Sequence, residues 1–255
     1  MNGGDRAANG VRVERRGAAA WARLDRPERA NALGPDMVDA LRAFVREHGA
    51  EPDVAALVIT GTGRTFCPGA DVKASAALGD AQSRLAYLDA GRRLMHEIED
   101  AGKPVIAAVN GAAFAGGLEL LLACHLVVAA EDAVAGDLHL PHGRLPGWGG
   151  ATRLTRAVGE AAATRILLLG ERLGAAELLR LGLCSEVVPG AALEETVDRH
   201  VATLAAHSPA VLAQLVGLLR SIRGRDRAAS LDEEWRHFRR HFTAGGAATV
   251  SLRSQ

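Results

Sequence analysis

Net charge is the first thing this sequence lacks. Thirty Lys and Arg balance thirty Asp and Glu over 255 residues. A neutral chain with no basic stripe interleaved with aromatics has no field to hold a nucleic-acid backbone, so no nucleic-acid partner is expected. Cysteine is scarce too. Cys67, Cys124 and Cys184 are odd in number, widely spaced and without a CxxC. Neither a disulfide framework nor a zinc site is indicated, no metal is expected, and a reducing cytoplasm is the expected compartment. Lysine is limited to Lys73 and Lys103, which reads as composition bias rather than as arginines selected for anions. The opening MNGGDRAANG has no apolar core and reads as a frayed tail over 1–10, not a signal peptide. One long apolar stretch, Val105 to Ala130, carries Asn110, Glu119 and His125 and is broken by Gly111, Gly116 and Gly117. A mid-span carboxylate is expensive in lipid, so this is expected to be buried core, with no membrane partner.

What is present is a globular composition, 48% hydrophobic and 24% charged, in a chain long enough to bury roughly three quarters of its unfolded surface. Val11–Val13 and Ala19–Leu24 read as a hairpin. Pro35 to His48 has Val38, Leu41, Phe44 and Val45 at helical spacing. Val54 to Thr60 and Val105 to Val109 are short apolar runs that suit buried strands. Ala81 to Asp100 is predicted helical, with Leu85, Leu88, Met95 and Ile98 as its apolar face. A glycine turn, a helix from about Gly117 and a strand over Leu126–Ala130 follow. This alternation predicts an α/β fold with parallel strands covered by helices. From Glu186–Val188 onward the chain turns helical. Ser208-Pro209 predicts one helix start and the capping box Ser230-Leu231-Asp232-Glu233 another. The expected division is a tail (1–10), a catalytic core (11–190) and a helical C-terminal segment (191–255). In that segment Trp235, Phe238 and Phe242 form an apolar stripe for either the chain's own core or a subunit interface.

Two glycine loops carry the chemistry. One is Phe66-Cys67-Pro68-Gly69-Ala70-Asp71-Val72-Lys73; the other is Asn110-Gly111-Ala112-Ala113-Phe114-Ala115-Gly116-Gly117-Leu118-Glu119-Leu120. Each follows a buried strand and offers small residues whose backbone N–H groups can approach a ligand oxygen. Alone, either is only a turn. Neither is a GxxxxGK[ST] or GxGxxG phosphate loop. Paired, they suggest two donors converging on one oxygen.

The order FCPGADVK, KPVIAAVNGAAFAGGLEL, PGWGGATRLTRAVG, GERLGAAELLRLGLCSEVVP, spanning about Arg12 to Pro189, resembles the enoyl-CoA hydratase/isomerase family, the crotonase superfamily. The resemblance implies a spiral of ββα units with a C-terminal helical oligomerisation segment, assembled as a homotrimer or a dimer of trimers. It also implies an acyl-CoA substrate of fatty-acid type metabolism, and no cofactor apart from the CoA of that substrate. By position, the Ala70 and Gly116 N–H groups would form an oxyanion hole for the thioester oxygen. Glu119 matches the first catalytic glutamate. The second glutamate position, counted back from Pro146-Gly147-Trp148-Gly149-Gly150, is occupied by His139. Arg29, Gly69, Asp71, Lys73, Gly147 and Trp148 are the expected substrate-binding residues. Arg29 and Lys73 would meet CoA phosphates, and Trp148 would wall the acyl pocket.

Histidine at the second position leaves several reactions open. Hydration of an enoyl-CoA, with His139 as second proton-transfer group, leads. Decarboxylation of a malonyl-type acyl-CoA needs only an oxyanion hole and a proton donor, and His139 could be that donor. A carbon–carbon hydrolase would pair His139 with Asp137 or His142. A non-catalytic CoA-binding scaffold is the alternative outside enzymology, with His139 merely bonded in the core.

Overall fold

Short runs of small and β-branched residues make the central strands, and both of their faces are covered. The computed structural model describes residues 9–243. β1 (Val11–Arg16) and β2 (Ala19–Leu24) form an antiparallel hairpin, followed by α1 (Pro35–Ala50) with proline in its first turn. Three passes of one pattern come next. β3 (Ala56–Gly61) leads to β4 (Thr65–Cys67), α2 (Val72–Ala77) and α3 (Ala81–Glu99). β5 (Val105–Val109) leads to β6 (Ala112–Phe114) and α4 (Gly116–Ala123). β7 (Leu126–Ala130) leads to β8 (Val134–Gly136), then α5 (Gly150–Val158) and α6 (Glu160–Leu169). After β9 (Leu173–Gly174), α7 (Ala175–Arg180) and β10 (Glu186–Val188) come α8 (Leu193–Ala205), α9 (Pro209–Ile222) and α10 (Arg227–His241).

The larger sheet has the order β1-β2-β3-β5-β7-β10, parallel from β2 onward, and the smaller one β4-β6-β8-β9. Each pass adds one strand to both sheets, so the chain advances as a spiral of ββα units. Along β3, Leu57 and Ile59 enter the larger apolar core while Ala56 and Val58 enter a second one on the opposite face. A strand buried on both faces must be apolar at every position, which is why these segments read as unbroken runs.

Four sequence expectations shift. The α3 stripe is Tyr87, Gly91, Leu94, Met95 and Ile98, whereas Leu85 and Leu88 are 67% and 41% exposed. The reason is Trp148, whose ring lies where a Cβ on Gly91 would be, 2.3 Å away. The tail ends sooner than residue 10, since Gly10 is buried and its carbonyl accepts the Asp25 N–H at 2.8 Å; residues 1–8 lie outside the described ones. The Ser208-Pro209 start holds: Ser208 is the N-cap of α9 and Pro209 its first residue, although the serine side chain makes no capping hydrogen bond. α10 starts at Arg227, capped by Asp226, whose Oδ1 accepts the Ala229 N–H at 2.8 Å, and Ser230 lies inside the helix. Finally, α8 lays Leu193, Val197 and Val201 on Trp21, Val58, Ile106 and Val128. It therefore groups with the core, and the division falls after Ala206 rather than at 190. The second unit, from His207, packs α9 against α10. On α10, Trp235 stacks on Phe238 at 5.4 Å, and both, with Phe242, are exposed. Residues 244–255 lie outside the described ones. Among the described residues, no single helix is long and apolar enough to cross a membrane.

Candidate active site

The first donor is set by a single bridge. Leu33 pairs in parallel with Ala70. The Leu33 N–H donates to the Gly69 carbonyl and the Asp71 N–H donates to the Leu33 carbonyl, each at 2.9 Å. A parallel bridge built from the two flanking residues turns Ala70's own N–H to the other side. Gly69, with φ 101°, comes so close to the second loop that a Cβ on it would stand 2.6 Å from the Gly116 nitrogen. Only glycine permits this approach.

The second donor opens α4, where first-turn N–H groups have no helical acceptor and the dipole favours negative charge. Ala115 ahead of it is held at φ 49°, ψ −115°, a conformation that costs a residue with a side chain about 1–3 kcal/mol. Its N–H donates to the Gly136 carbonyl and its carbonyl accepts the Glu119 N–H, both at 3.0 Å. This strain, invisible in the sequence, aims Gly116. Within the described residues, the N–H groups of Ala70 and Gly116 have no protein acceptor.

One turn along α4, Glu119 is 1% exposed. Its Oε1 accepts two backbone N–H groups, from Trp148 at 2.7 Å and Gly150 at 2.8 Å. Burial pushes its carboxyl above the usual range; the Gly150 and Trp148 bonds and the His139 charge oppose this, and the Asp137 charge adds to it. Its Oε2 faces His139 Nε2 at 3.8 Å, too far for a direct hydrogen bond. His139 Nδ1 lies 3.0 Å from Asp137 Oδ2. Burial opposes charge on the imidazole, but the hydrogen bond and charge of Asp137, with the charge of Glu119, outweigh it and raise the His139 pKa. The structure thus aligns Asp137, His139 and Glu119. His142, the other candidate partner of His139, donates its backbone N–H to the His139 carbonyl at 3.0 Å.

Trp148 is buried, its ring against Gly91 and Gly116 and its Nε1–H donating to the Leu88 carbonyl at 2.9 Å. A Cβ on Gly147 would meet nothing within 4 Å. Arg153 donates to the Trp148 carbonyl and pairs with Glu99, so it braces the segment that holds Glu119. Nothing in the sequence singled out Arg153, Gly91 or Ala115. Asp71 caps α2 by accepting the Ala74 N–H at 2.9 Å and faces Arg29 at 3.5 Å and Arg26 at 3.7 Å. Arg26, Arg29, Asp71 and Lys73 line a cleft of about 350 Å³. Cys67 accepts the Gly69 N–H at 3.3 Å; burial holds its thiol up at about 12, so it is a packing group rather than a nucleophile. His125 Nδ1 accepts the Val105 N–H at 3.0 Å, a framework role. Among the described residues, no group of three His, Cys, Asp or Glu is disposed to hold a metal ion.

Chemically, two backbone donors can hold a carbonyl oxygen as it becomes anionic, a service worth ~3 kcal/mol per donor. A carboxyl and an imidazole with raised pKa values can trade a proton beside it.

The enoyl-CoA hydratase/isomerase family model matches residues 14–245. A probable enoyl-CoA hydratase of Bacillus subtilis is 38% identical over 222 residues, 86% of this chain and 85% of the relative. An (E)-benzylidenesuccinyl-CoA hydratase of Thauera aromatica is 35% identical over 200 residues, 78% of this chain and 77% of the relative. The crystal structure of an enoyl-CoA hydratase from Bacillus anthracis superposes with TM-score 0.86 at 29% identity, covering 90% of each chain.

Proposed function

Because the chain belongs to the enoyl-CoA hydratase/isomerase family, whose enzymes act on acyl-CoA thioesters, we propose that it adds water across the double bond of an enoyl-CoA. The observation that carries this is the facing of Glu119 Oε2 and His139 Nε2 at 3.8 Å, one turn from the Gly116 donor. The thioester oxygen accepts the N–H groups of Ala70 and Gly116. The ionised Glu119 takes a proton from water as the oxygen of that water bonds to the β-carbon. The π-electrons move onto the thioester as an enolate, which collapses as imidazolium His139 gives its Nε2 proton to the α-carbon. A water molecule bridging the 3.8 Å gap relays the new proton from Glu119 to His139 and closes the cycle. No cofactor is required beyond the CoA of the substrate. In this reading Arg29 and Lys73, which line one cleft, meet its phosphates, Gly69 and Asp71 shape that wall, and Gly147 and Trp148 lie on the acyl side. We further propose a cytoplasmic homotrimer or dimer of trimers.

A second reaction is favoured by the Asp137–His139 pair. An imidazolium held on a carboxylate equally protonates the enolate left when a malonyl-type acyl-CoA loses CO2, with no water needed. Initial rates on crotonyl-CoA, an aryl-substituted 2-enoyl-CoA, a 3-enoyl-CoA and methylmalonyl-CoA separate the two. Hydration of a 2-enoyl-CoA is expected. Turnover of methylmalonyl-CoA alone would replace hydration with decarboxylation, and CoA binding without turnover of any ester would make the chain a scaffold.

A further inference from the structure

A histidine that works from a fixed place in a cleft needs its ring pinned, its tautomer chosen and its charge balanced. Asp137 lies directly after β8 and is 1% exposed. Its Oδ1 accepts the backbone N–H of His139 at 3.0 Å, and its two oxygens stand 3.1 and 3.0 Å from Nδ1. An ionised carboxylate can only accept, so Nδ1 carries a proton and Nε2 is the atom turned to Glu119. Two buried carboxylates flanking one ring would carry two negative charges if the ring were neutral. Protonated, it leaves one.

We propose that Asp137 is a positioning residue: it fixes His139 as the Nδ1–H tautomer, turns Nε2 toward Glu119 and balances the imidazolium. This rests on the proton-transfer role given to His139 above. The charged groups around the ring are Glu119 from α4, Asp137 from the end of β8, and Arg144 from the segment that follows. The two carboxylates favour the charged ring, while burial and Arg144 oppose it. Asparagine in place of Asp137 removes a charge and can present its amide N–H to Nδ1. That moves the single proton of a neutral ring to Nε2, where it blocks acceptance of the proton from Glu119. In the serine-protease triad, the equivalent aspartate-to-asparagine change leaves geometry intact and lowers kcat about 10⁴-fold.

The test begins with the ring itself. Nitrogen-15 NMR of the full chain, with the His139 signals assigned by their loss in His139→Gln, should show the Nδ1–H tautomer above the ring's pKa. In Asp137→Asn the Nε2–H tautomer should dominate and the ring should titrate at lower pH. In kinetics on the accepted acyl-CoA, Asp137→Asn should lower kcat about 10²-fold or more with little change in KM. The pH limb belonging to His139 should move to lower pH, and Asp137→Glu should restore part of the rate. An Nε2–H tautomer in the unmodified protein, or unchanged titration in Asp137→Asn, overturns the proposal. The tautomer of the unmodified protein decides the matter even where the variant does not fold. Because both ring measurements need no turnover, they separate this role from the reaction: the expected spectra in a protein that turns over no acyl-CoA would sink the hydratase assignment and leave Asp137 in place.

Discussion

Glu119 shows how one residue can be costly to the fold and useful to the site. Its carboxylate sits in the most apolar part of the chain, held by two backbone N–H groups, and burial still raises its pKa. A group whose folded pKa is raised stabilises the fold most below its unfolded value, and that contribution is lost as pH rises through the folded one. At neutral pH, then, Glu119 destabilises. Glu119→Gln keeps the acceptor for Trp148 and Gly150. Turnover should fall about 10²- to 10⁴-fold while Tm at pH 7 rises, with the difference from wild type narrowing toward pH 5. A wild-type rate, or a lower Tm at pH 7, would contradict this assignment. The same shifts give a bell-shaped profile of kcat/KM. Activity is lost on the acid side as Glu119 gains its proton above the ordinary carboxylate range, and on the alkaline side as His139 loses its own above the ordinary histidine value. Both limbs belong to the coupled pair. Replacing His139 by Glu restores a pair of glutamates by sequence, but the structure places that third carboxylate against Asp137 and Glu119. His139→Glu alone should therefore be less active than wild type, and adding Asp137→Asn should recover activity relative to it, which rate assays on the three proteins would check. Glu119 and His139 were legible as isolated residues in a motif. Their facing at 3.8 Å was not, because α4 and the segment after β8 meet only in space.

At the scale of elements, the site is the place where two loops of successive ββα units press together. The β4–α2 loop supplies Ala70, α4 supplies Gly116 as its first residue, and Gly69 sets the spacing. Gly69→Ala would combine a strained φ with a methyl group on the donor nitrogen. It should destabilise by about 1–3 kcal/mol and lower kcat about 10²-fold or more through the lost donor; denaturant melts and steady-state rates measure the two separately. Arg153 braces the Trp148–Gly150 segment from α5, through the Trp148 carbonyl and Glu99 on α3. Arg153→Met should loosen the Trp148 and Gly150 N–H bonds to Glu119 and move the acid limb upward, since those bonds hold the Glu119 pKa down. Strand and helix positions were readable from periodicity. The misread faces are those where a partner distant in sequence decides: Leu85 and Leu88 lose the inner face of α3 to Gly91 because Trp148 needs the room.

At the scale of the molecule, α8 belongs with the sheets while α9 and α10 form their own unit. The exposed Trp235, Phe238 and Phe242 stripe on α10 suits a contact between copies of the chain, the proposed trimer or pair of trimers. Light scattering after gel filtration should give three or six chains, and Trp235→Glu with Phe238→Glu should reduce that mass; a monomer in both proteins would refute the assembly.

The sequence by itself determined the class of fold, the two glycine loops and the residues proposed for the reaction centre. Strand burial demands apolar runs, close backbone approach demands glycine, and a carboxylate among apolar residues needs a reason. Only the tertiary structure decided what those residues meet. The strain at Ala115, the direction of the Ala70 N–H, the Arg153 brace and the Asp137–His139–Glu119 alignment all come from chain segments brought together by the spiral. No local preference encodes such contacts; they exist only once both sheets are formed.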